Sequence, residues 1–176
     1  MIRILFLTMI SFFVTQITQA QTKEAQIAKI RKTYTDAKKE VDNNGKNGHK
    51  NNVLQFLNYD QERDETPVSM EDIQIYYAYD QSEPKPYFIT QKYKYGDIDI
   101  YREWLFDSFD HNLLFIFEHQ EQNDGKPIEN RYYWNDGNLI EKVTTTQNLE
   151  PDYHFILYRI SQQFVRMFET HMNRDL

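Results

Sequence analysis

The segment YFITQKYKYGDIDIYREWLF, residues 87–106, decides the fold of this chain. Apolar and polar residues alternate on both sides of Gly96-Asp97, which is the pattern of two half-buried β-strands. A pair that begins with glycine suits the tight turn between such strands. A turn at this place sets Tyr93 opposite Ile100. The segment therefore predicts an antiparallel hairpin.

The same alternation continues before and after this hairpin, with further Gly-containing turns at 123–125 and 135–137. We expect strands at 73–80, 87–95, 98–106, 113–121, 128–134 and 139–145, with a further short strand at 53–59. Counting back from a turn at Asp124-Gly125 places Glu118 opposite Arg131, Phe117 opposite Tyr132 and Phe115 opposite Trp134. The pattern predicts an antiparallel meander of six to seven strands.

Two amphipathic helices are expected to flank the meander. From Thr22 to Asp42, apolar residues recur at alternating spacings of three and four, at Ile27, Ile30, Tyr34, Ala37 and Val41. The same spacing returns after Pro151, at Tyr153, Leu157, Ile160, Phe164, Met167 and Phe168. The sequence predicts an α+β domain with an N-terminal helix, the meander and a C-terminal helix. Both helices are expected on one sheet face.

The first 20 residues have the pattern of a secretory signal peptide. Arg3 precedes the apolar run Ile4–Val14, and the segment ends with the small residue Ala20. The run has 11 residues, whereas a membrane-spanning helix needs about 20, so no stable membrane insertion is expected after cleavage. Cleavage leaves a single domain, residues 21–176, with a periplasmic or secreted location.

The charge and the amino-acid composition disfavour a nucleic-acid-binding protein and a disordered one. Removing the first 20 residues takes away Arg3 and no acid, which leaves 19 Lys and Arg, 27 Asp and Glu, and a charge of -8. This balance disfavours nucleic acid as a partner. The chain has no cysteine, so packing alone has to hold the exported fold. Its 12 Phe, 13 Tyr and 2 Trp argue against disorder.

The hairpin RYYWNDGNLIEKV, residues 131–143, resembles one known family. It is similar to the aromatic-strand, Asp-Gly, aliphatic-strand hairpins of bacterial MORN-variant repeat proteins. The layout of the whole chain also resembles small exported proteins of unknown function from Gram-negative bacteria. The first resemblance implies a hairpin and the second implies a compartment, and neither implies a chemistry.

No catalytic motif selects an enzyme class. No serine lies in a Gly-x-Ser-x-Gly elbow, and the Asp, Ser and His within residues 107–111 are sequence neighbours in a predicted turn. Many carboxylates occur without a spacing that selects a pair: Asp97, Asp99, Glu103, Asp107, Asp110 and Glu118. An exported glycan or peptide hydrolase therefore stays an alternative. With nearby Lys and Arg, these acids are better interpreted as cross-strand charge pairs on a soluble face.

No metal or cofactor is expected. The five histidines contain no His-x-x-x-His pair, which excludes the zinc-protease helix signature. The loop after Asp42 has Lys46 at the fifth position of a would-be calcium loop and no acid at the twelfth. It is better interpreted as an exposed connector.

The second sheet face provides the leading hypothesis. If Ile73, Ile75, Ile89, Ile98, Ile100, Phe115, Phe117, Tyr132 and Trp134 face the helices, alternation places Tyr76, Phe88, Tyr101, Ile116 and Tyr133 on the other side. Tyrosine offers rigid, amphipathic contact area, so this face could bind a protein or a glycan, although Tyr is also an ordinary strand residue. We expect an exported, non-enzymatic binding protein that uses Tyr76, Phe88, Tyr101 and Tyr133. A structural envelope-associated module is the remaining alternative.

Overall fold

The computed structural model describes residues 2–44, 51–60, 69–81, 83–108, 110–121, 125–146 and 150–173, with side chains from Thr22 onward except at 59–60 and 69–70. Its elements are α1 (Ile2–Asp42), β1 (Asn52–Asp60), β2 (Ser69–Asp80), β3 (Glu83–Tyr95), β4 (Ile98–Phe106), β5 (Leu113–Gln120), β6 (Ile128–Asn135), β7 (Asn138–Thr144) and α2 (Tyr153–Met172). The strands form one antiparallel sheet in chain order. This confirms the α+β meander. Most of the predicted connector after Asp42 lies outside the described residues.

The β3–β4 hairpin has the predicted register. Tyr93 pairs with Ile100, and the strands close at Tyr95 and Ile98. Gly96 has a φ of +58°, a left-handed conformation that glycine adopts without the clash of a Cβ. The β6–β7 turn works similarly, because Asp136 and Gly137 both have positive φ.

The predicted β5–β6 register is wrong by one residue. Phe117 pairs with Arg131 rather than Tyr132, and Glu118 pairs with Asn130. The ladder closes at Gln120 and Ile128, so the connection is longer than the two-residue turn assumed from Asp124-Gly125. Pro127 has no backbone N–H for the ladder. A one-residue shift moves each side chain to the other face, so Phe115 and Ile116 exchange their predicted faces.

The expected placement of both helices on one sheet face is also wrong. Helix α2 packs on the face that carries Ile75, Ile89, Trp104, Ile116 and Tyr132. Helix α1 packs on the opposite face, against Tyr76, Phe88, Leu105, Phe115 and Tyr133. Both faces of the sheet are apolar, and a helix on each face shields it from water.

As their amphipathic spacing predicts, each helix buries one apolar stripe against the sheet. On α1, Ile27, Ile30, Ala37 and Val41 are buried against the sheet, whereas on α2 the buried residues are Leu157, Ser161, Phe164 and Phe168. The Trp104 Nε1 donates a hydrogen bond to the Leu157 carbonyl over 3.2 Å, which ties α2 to the middle of the sheet. In the described part of the chain, no helix is long and apolar enough to cross a membrane.

Candidate functional site

Helix α1 lies diagonally across the Tyr-rich sheet face. Its contacts run from Lys23 with Glu141 on β7, through Arg31 with Tyr133 on β6, to Lys38 with Glu103 on β4. Near its C-terminus, the Glu40 carbonyl accepts a hydrogen bond from the Asn51 side chain just before β1. The helix therefore crosses most strands and leaves a groove along its flank.

The four predicted ligand-binding residues do not form an open surface. Tyr76, Phe88 and Tyr133 are buried beneath α1, and Tyr101 is half-buried. This corrects the expectation of an exposed face, since the prediction placed both helices on the other side. The structure brings Tyr76, Phe88 and Tyr133 together in one apolar cluster, and Tyr101 lies beside it.

Glu103 anchors α1 to the sheet. Its carboxylate is almost fully buried and accepts hydrogen bonds from the Tyr34 and Tyr101 hydroxyls, each over 2.5 Å. Lys38 lies 2.6 Å away and supplies the compensating positive charge. Burial, and next the negative charge of Glu103, raises the pKa of Tyr34 and of Tyr101 well above 10.0.

Alkaline pH is expected to destabilise this anchor. Because the folded state holds the phenol protons of Tyr34 and Tyr101 more tightly than the unfolded chain, their contribution is complete below the unfolded pKa of 10.0 and is lost as pH rises above it. Urea unfolding should show stability falling as pH rises from about 10 to 12. The Tyr34→Phe/Tyr101→Phe variant should lose less stability over that interval. An equal loss in both proteins would contradict this assignment.

The flank of α1 over β5–β7 forms a groove of about 430 Å³, which we call the arginine groove. It is lined by Arg31, Tyr34, Thr35, Phe115, Arg131, Tyr133 and Val143. Tyr34 and Tyr133 both lie against Phe115, with ring centroids 4.7 and 5.0 Å apart, and these rings form an aromatic floor. The groove thus combines two cations with an apolar surface.

Each guanidinium group is held over an aromatic ring, Arg31 by Tyr133 of the floor and Arg131 by Phe117 beside it. The Arg31 Cζ lies 5.4 Å from the centre of the Tyr133 ring, and its Nε donates to the Tyr133 hydroxyl over 3.2 Å. The Arg131 Cζ lies 5.3 Å from the centre of the Phe117 ring, and its Nη2 contacts Glu129 at 2.6 Å. Arg31 forms no ion pair within 4.0 Å with any side chain that the structure describes. No pattern in the sequence singles out this arginine pair.

Tyr101 also lines a more open depression of about 530 Å³ on the same sheet face. Here the predicted cross-strand arrangement of charges is present, because Lys92 lies opposite Asp72 and Lys94 lies opposite Asp99 in register. Each cation of this depression therefore has an acidic neighbour across the ladder. In the arginine groove, Arg131 pairs with Glu129 and Glu141 lies within electrostatic range of Arg31, so the groove differs from this depression in its aromatic floor and in its paired guanidinium groups.

A third depression, of about 300 Å³, lies on the other flank of α1. Asp107, Asp110 and Asp136 line it together with Lys29. This places several carboxylates in one pocket, which is the feature expected for a hydrolase. The Asp110 backbone N–H donates to the Asp107 carboxylate over 3.3 Å, so part of the cluster stabilises its own loop.

The triad residue types within 107–111 do not converge on one site. Ser108 and His111 line a depression of about 270 Å³, whereas Asp107 and Asp110 line the pocket described above. The His111 Nδ1 is buried and has no hydrogen-bond partner. Among the residues that the structure describes, no group of three or more His, Asp or Glu side chains could hold a metal ion.

The α2 face contains a polar row that crosses five strands, buried on the first four and half-buried on the last. Its members are Gln91, Arg102, Glu118, Asn130 and Thr144, on β3 to β7 in that order. The Arg102 Nε donates to the Glu118 carboxylate over 2.6 Å, and Asn130 donates to the second Glu118 oxygen over 3.0 Å. The Tyr153 hydroxyl of α2 donates to Glu118 over 2.7 Å and accepts from Arg102 over 2.8 Å. This row fixes α2 on the sheet.

The row was not predicted. The sequence placed Glu118 opposite Arg131 among solvated charges, whereas the structure buries it beside Arg102. The one-residue register error accounts for the difference, because it placed Glu118 on the wrong face.

Comparison with known proteins yields no match, whether to a family model, a curated protein or a solved structure. The function of this chain is therefore inferred from its own grooves and side-chain clusters.

Proposed function

We propose that this chain is an exported binding protein that holds a carboxylate-bearing sugar ring of an acidic glycan in the arginine groove. The observation that carries this proposal is the pair Arg31 and Arg131, which line the same groove from α1 and from β6. The N-terminal signal pattern supports export. Among the described residues, Asp107, Ser108 and His111 do not converge on one site, which favours binding over nucleophilic catalysis by these residues.

The shape of the groove supports a small group as its occupant. Its volume of about 430 Å³ lies within the roughly 300–1,000 Å³ of ordinary small-molecule sites. The groove is open along α1, so a ring can enter while the rest of a longer glycan stays outside.

The charge of the groove supports a carboxylate. A guanidinium presents five N–H donors in a planar fork that matches the two oxygens of a carboxylate. Arg31 uses one donor on Tyr133, and Arg131 uses one on Glu129, so both keep donors for a ligand. No Asp or Glu lines the groove itself.

The apolar floor of the groove favours a ligand that contains a ring. Phe115 and Tyr133 are buried, and Val143 at the rim is 40% exposed. The apolar surface that a sugar ring would meet is therefore that of the half-buried Tyr34 and of Val143, while the arginines bind its acid group. Of the four ligand-binding residues predicted from the sequence, Tyr133 lies in the floor of this groove.

Calorimetric titration tests the proposal. The chain is expressed with its first 20 residues, and the protein recovered outside the cytoplasm should begin at Gln21. It should bind a hexuronate oligosaccharide and not a neutral oligosaccharide of equal length. Arg31→Ala and Arg131→Ala should each weaken binding by about 10- to 100-fold, because each removes charge-assisted hydrogen bonds.

The matched control is Arg159→Ala, which removes an exposed arginine from α2 on the opposite face and should leave binding unchanged. Thermal unfolding checks that each variant stays folded. Equal affinity for both oligosaccharides, or undiminished affinity of both groove variants, would refute the proposal. Cleavage of the oligosaccharide, lost in Asp107→Asn, would instead favour the hydrolase alternative and the pocket that contains Asp107.

A further inference from the structure

Within residues 52–60, edge strand β1 has few of the protective features that an edge strand itself can carry. It runs over nine residues, Asn52–Asp60, and pairs with β2 without a register shift. Its sequence, NVLQFLNYD, has no lysine or proline and only one charged residue. Natural sheets usually blunt an edge with charge, proline, a bulge or a short strand.

The opposite edge strand has these protective features. Strand β7 covers seven residues and carries Glu141 and Lys142, and its ladder with β6 shifts register between Tyr133 and Trp134. Glu141 also pairs with Lys23 of α1 at 2.5 Å. The contrast between the edges indicates that β1 is kept free for pairing.

Strand β1 exposes two apolar side chains in addition to the polar Asn52, Gln55 and Asn58. Val53 is 39% exposed and Leu57 is 48% exposed, and both lie on the α1 side of the sheet. Leu54 and Phe56 lie on the α2 side and pack partly against its core. Among the described residues, β2 is the only strand paired with β1.

We infer that β1 pairs antiparallel with β1 of a second copy of this chain, with the two-fold axis at Gln55. This register sets Val53 opposite Leu57 of the partner on the α1 side, and Leu54 opposite Phe56 of the partner on the α2 side. Apolar residues then meet apolar residues on both faces, and Gln55 meets Gln55 of the partner. Strand 52–58 carries no charge, so no like charges oppose each other.

The register also satisfies the unpaired backbone groups of the edge. In an antiparallel ladder, alternate residues exchange hydrogen bonds with the neighbouring strand. A two-fold axis at Gln55 pairs odd residues with odd residues and even residues with even residues, so whichever set points outward finds its partners. The pairing joins two seven-stranded sheets into one continuous sheet.

Sedimentation velocity over a micromolar concentration series tests the inference on the chain from Gln21. The wild type should form a dimer. Val53→Lys/Leu57→Lys places lysine opposite lysine on both sides of the axis and should raise the dimer dissociation constant by at least about tenfold. Val53→Lys/Leu57→Glu places lysine opposite glutamate and should dimerise more strongly than the double-lysine variant.

Val143→Lys is the control, because Val143 is an exposed valine of the other edge strand, with 40% of its surface accessible. It should leave the dimer intact. Circular dichroism confirms that each variant is folded. A monomeric wild type at all concentrations would overturn the inference, as would equal dissociation of the two β1 variants or dissociation by Val143→Lys.

Discussion

Replacing Arg102 by methionine is expected to lower the free energy of unfolding by about 3–5 kcal/mol. The Arg102 guanidinium and the Glu118 carboxylate are both buried, with Nε and Oε2 2.6 Å apart. Removing the cation leaves the Glu118 charge in a site without water to solvate it. The remaining donors to Glu118, from Asn130, Gln120 and Tyr153, are neutral groups and cannot replace the lost positive charge.

Urea unfolding followed by circular dichroism measures this loss. The matched controls are the single variant Glu118→Leu and the double variant Arg102→Met/Glu118→Leu, which removes both charges. The double variant should cost less than the sum of the two single variants by about 0.5–3 kcal/mol. A loss below about 1 kcal/mol in the single variant would mean that the pair is solvated rather than buried. Additive losses in the double variant would show that the two groups do not interact.

Replacing Phe88 by alanine is expected to cost about 3–5 kcal/mol. Phe88 is 0% exposed and lies in the cluster beneath α1, with its ring 6.1 Å from the ring of Tyr34. Truncation removes its buried surface and leaves a cavity between α1 and the sheet. If α1 instead left this face open, as expected from the sequence, Phe88 would be exposed and the same change would have little effect.

The matched control is Phe155→Ala on α2. Phe155 is 51% exposed and touches the rings of Trp134 and His154, so its truncation should cost less than about 1 kcal/mol. Urea unfolding of both variants provides the comparison. Similar losses in the two proteins would argue that α1 does not seal the sheet.

The stability of the α1 face matters for the proposed binding site. Arg31 and Tyr34 reach the arginine groove only because α1 is docked by Glu103 below it. A variant that loosens α1 therefore loses the groove together with the fold. For this reason the binding test uses arginine substitutions at the groove surface and leaves Glu103 and Phe88 unchanged.

The sequence does contain a signal for a cover on each face of the sheet. Three strands contain continuous apolar or aromatic runs rather than strict alternations: Trp104-Leu105-Phe106, residues 113–117 and Tyr132-Tyr133-Trp134. Such runs are typical of strands that are buried on both faces. They predict a cover on each side, which is what α1 and α2 provide.

The sequence by itself determined the element order, the meander and the β3–β4 register, because local alternation, helical spacing and a glycine turn specify each of them. Only the tertiary structure decided the β5–β6 register, the faces that the helices cover and the partners of Glu103 and Glu118. Loop length controls the register, and one residue reverses the face of a whole strand. The arginine groove depends on α1 and β6 meeting 100 residues apart in the chain, at Arg31 and Arg131, and no local pattern records that contact.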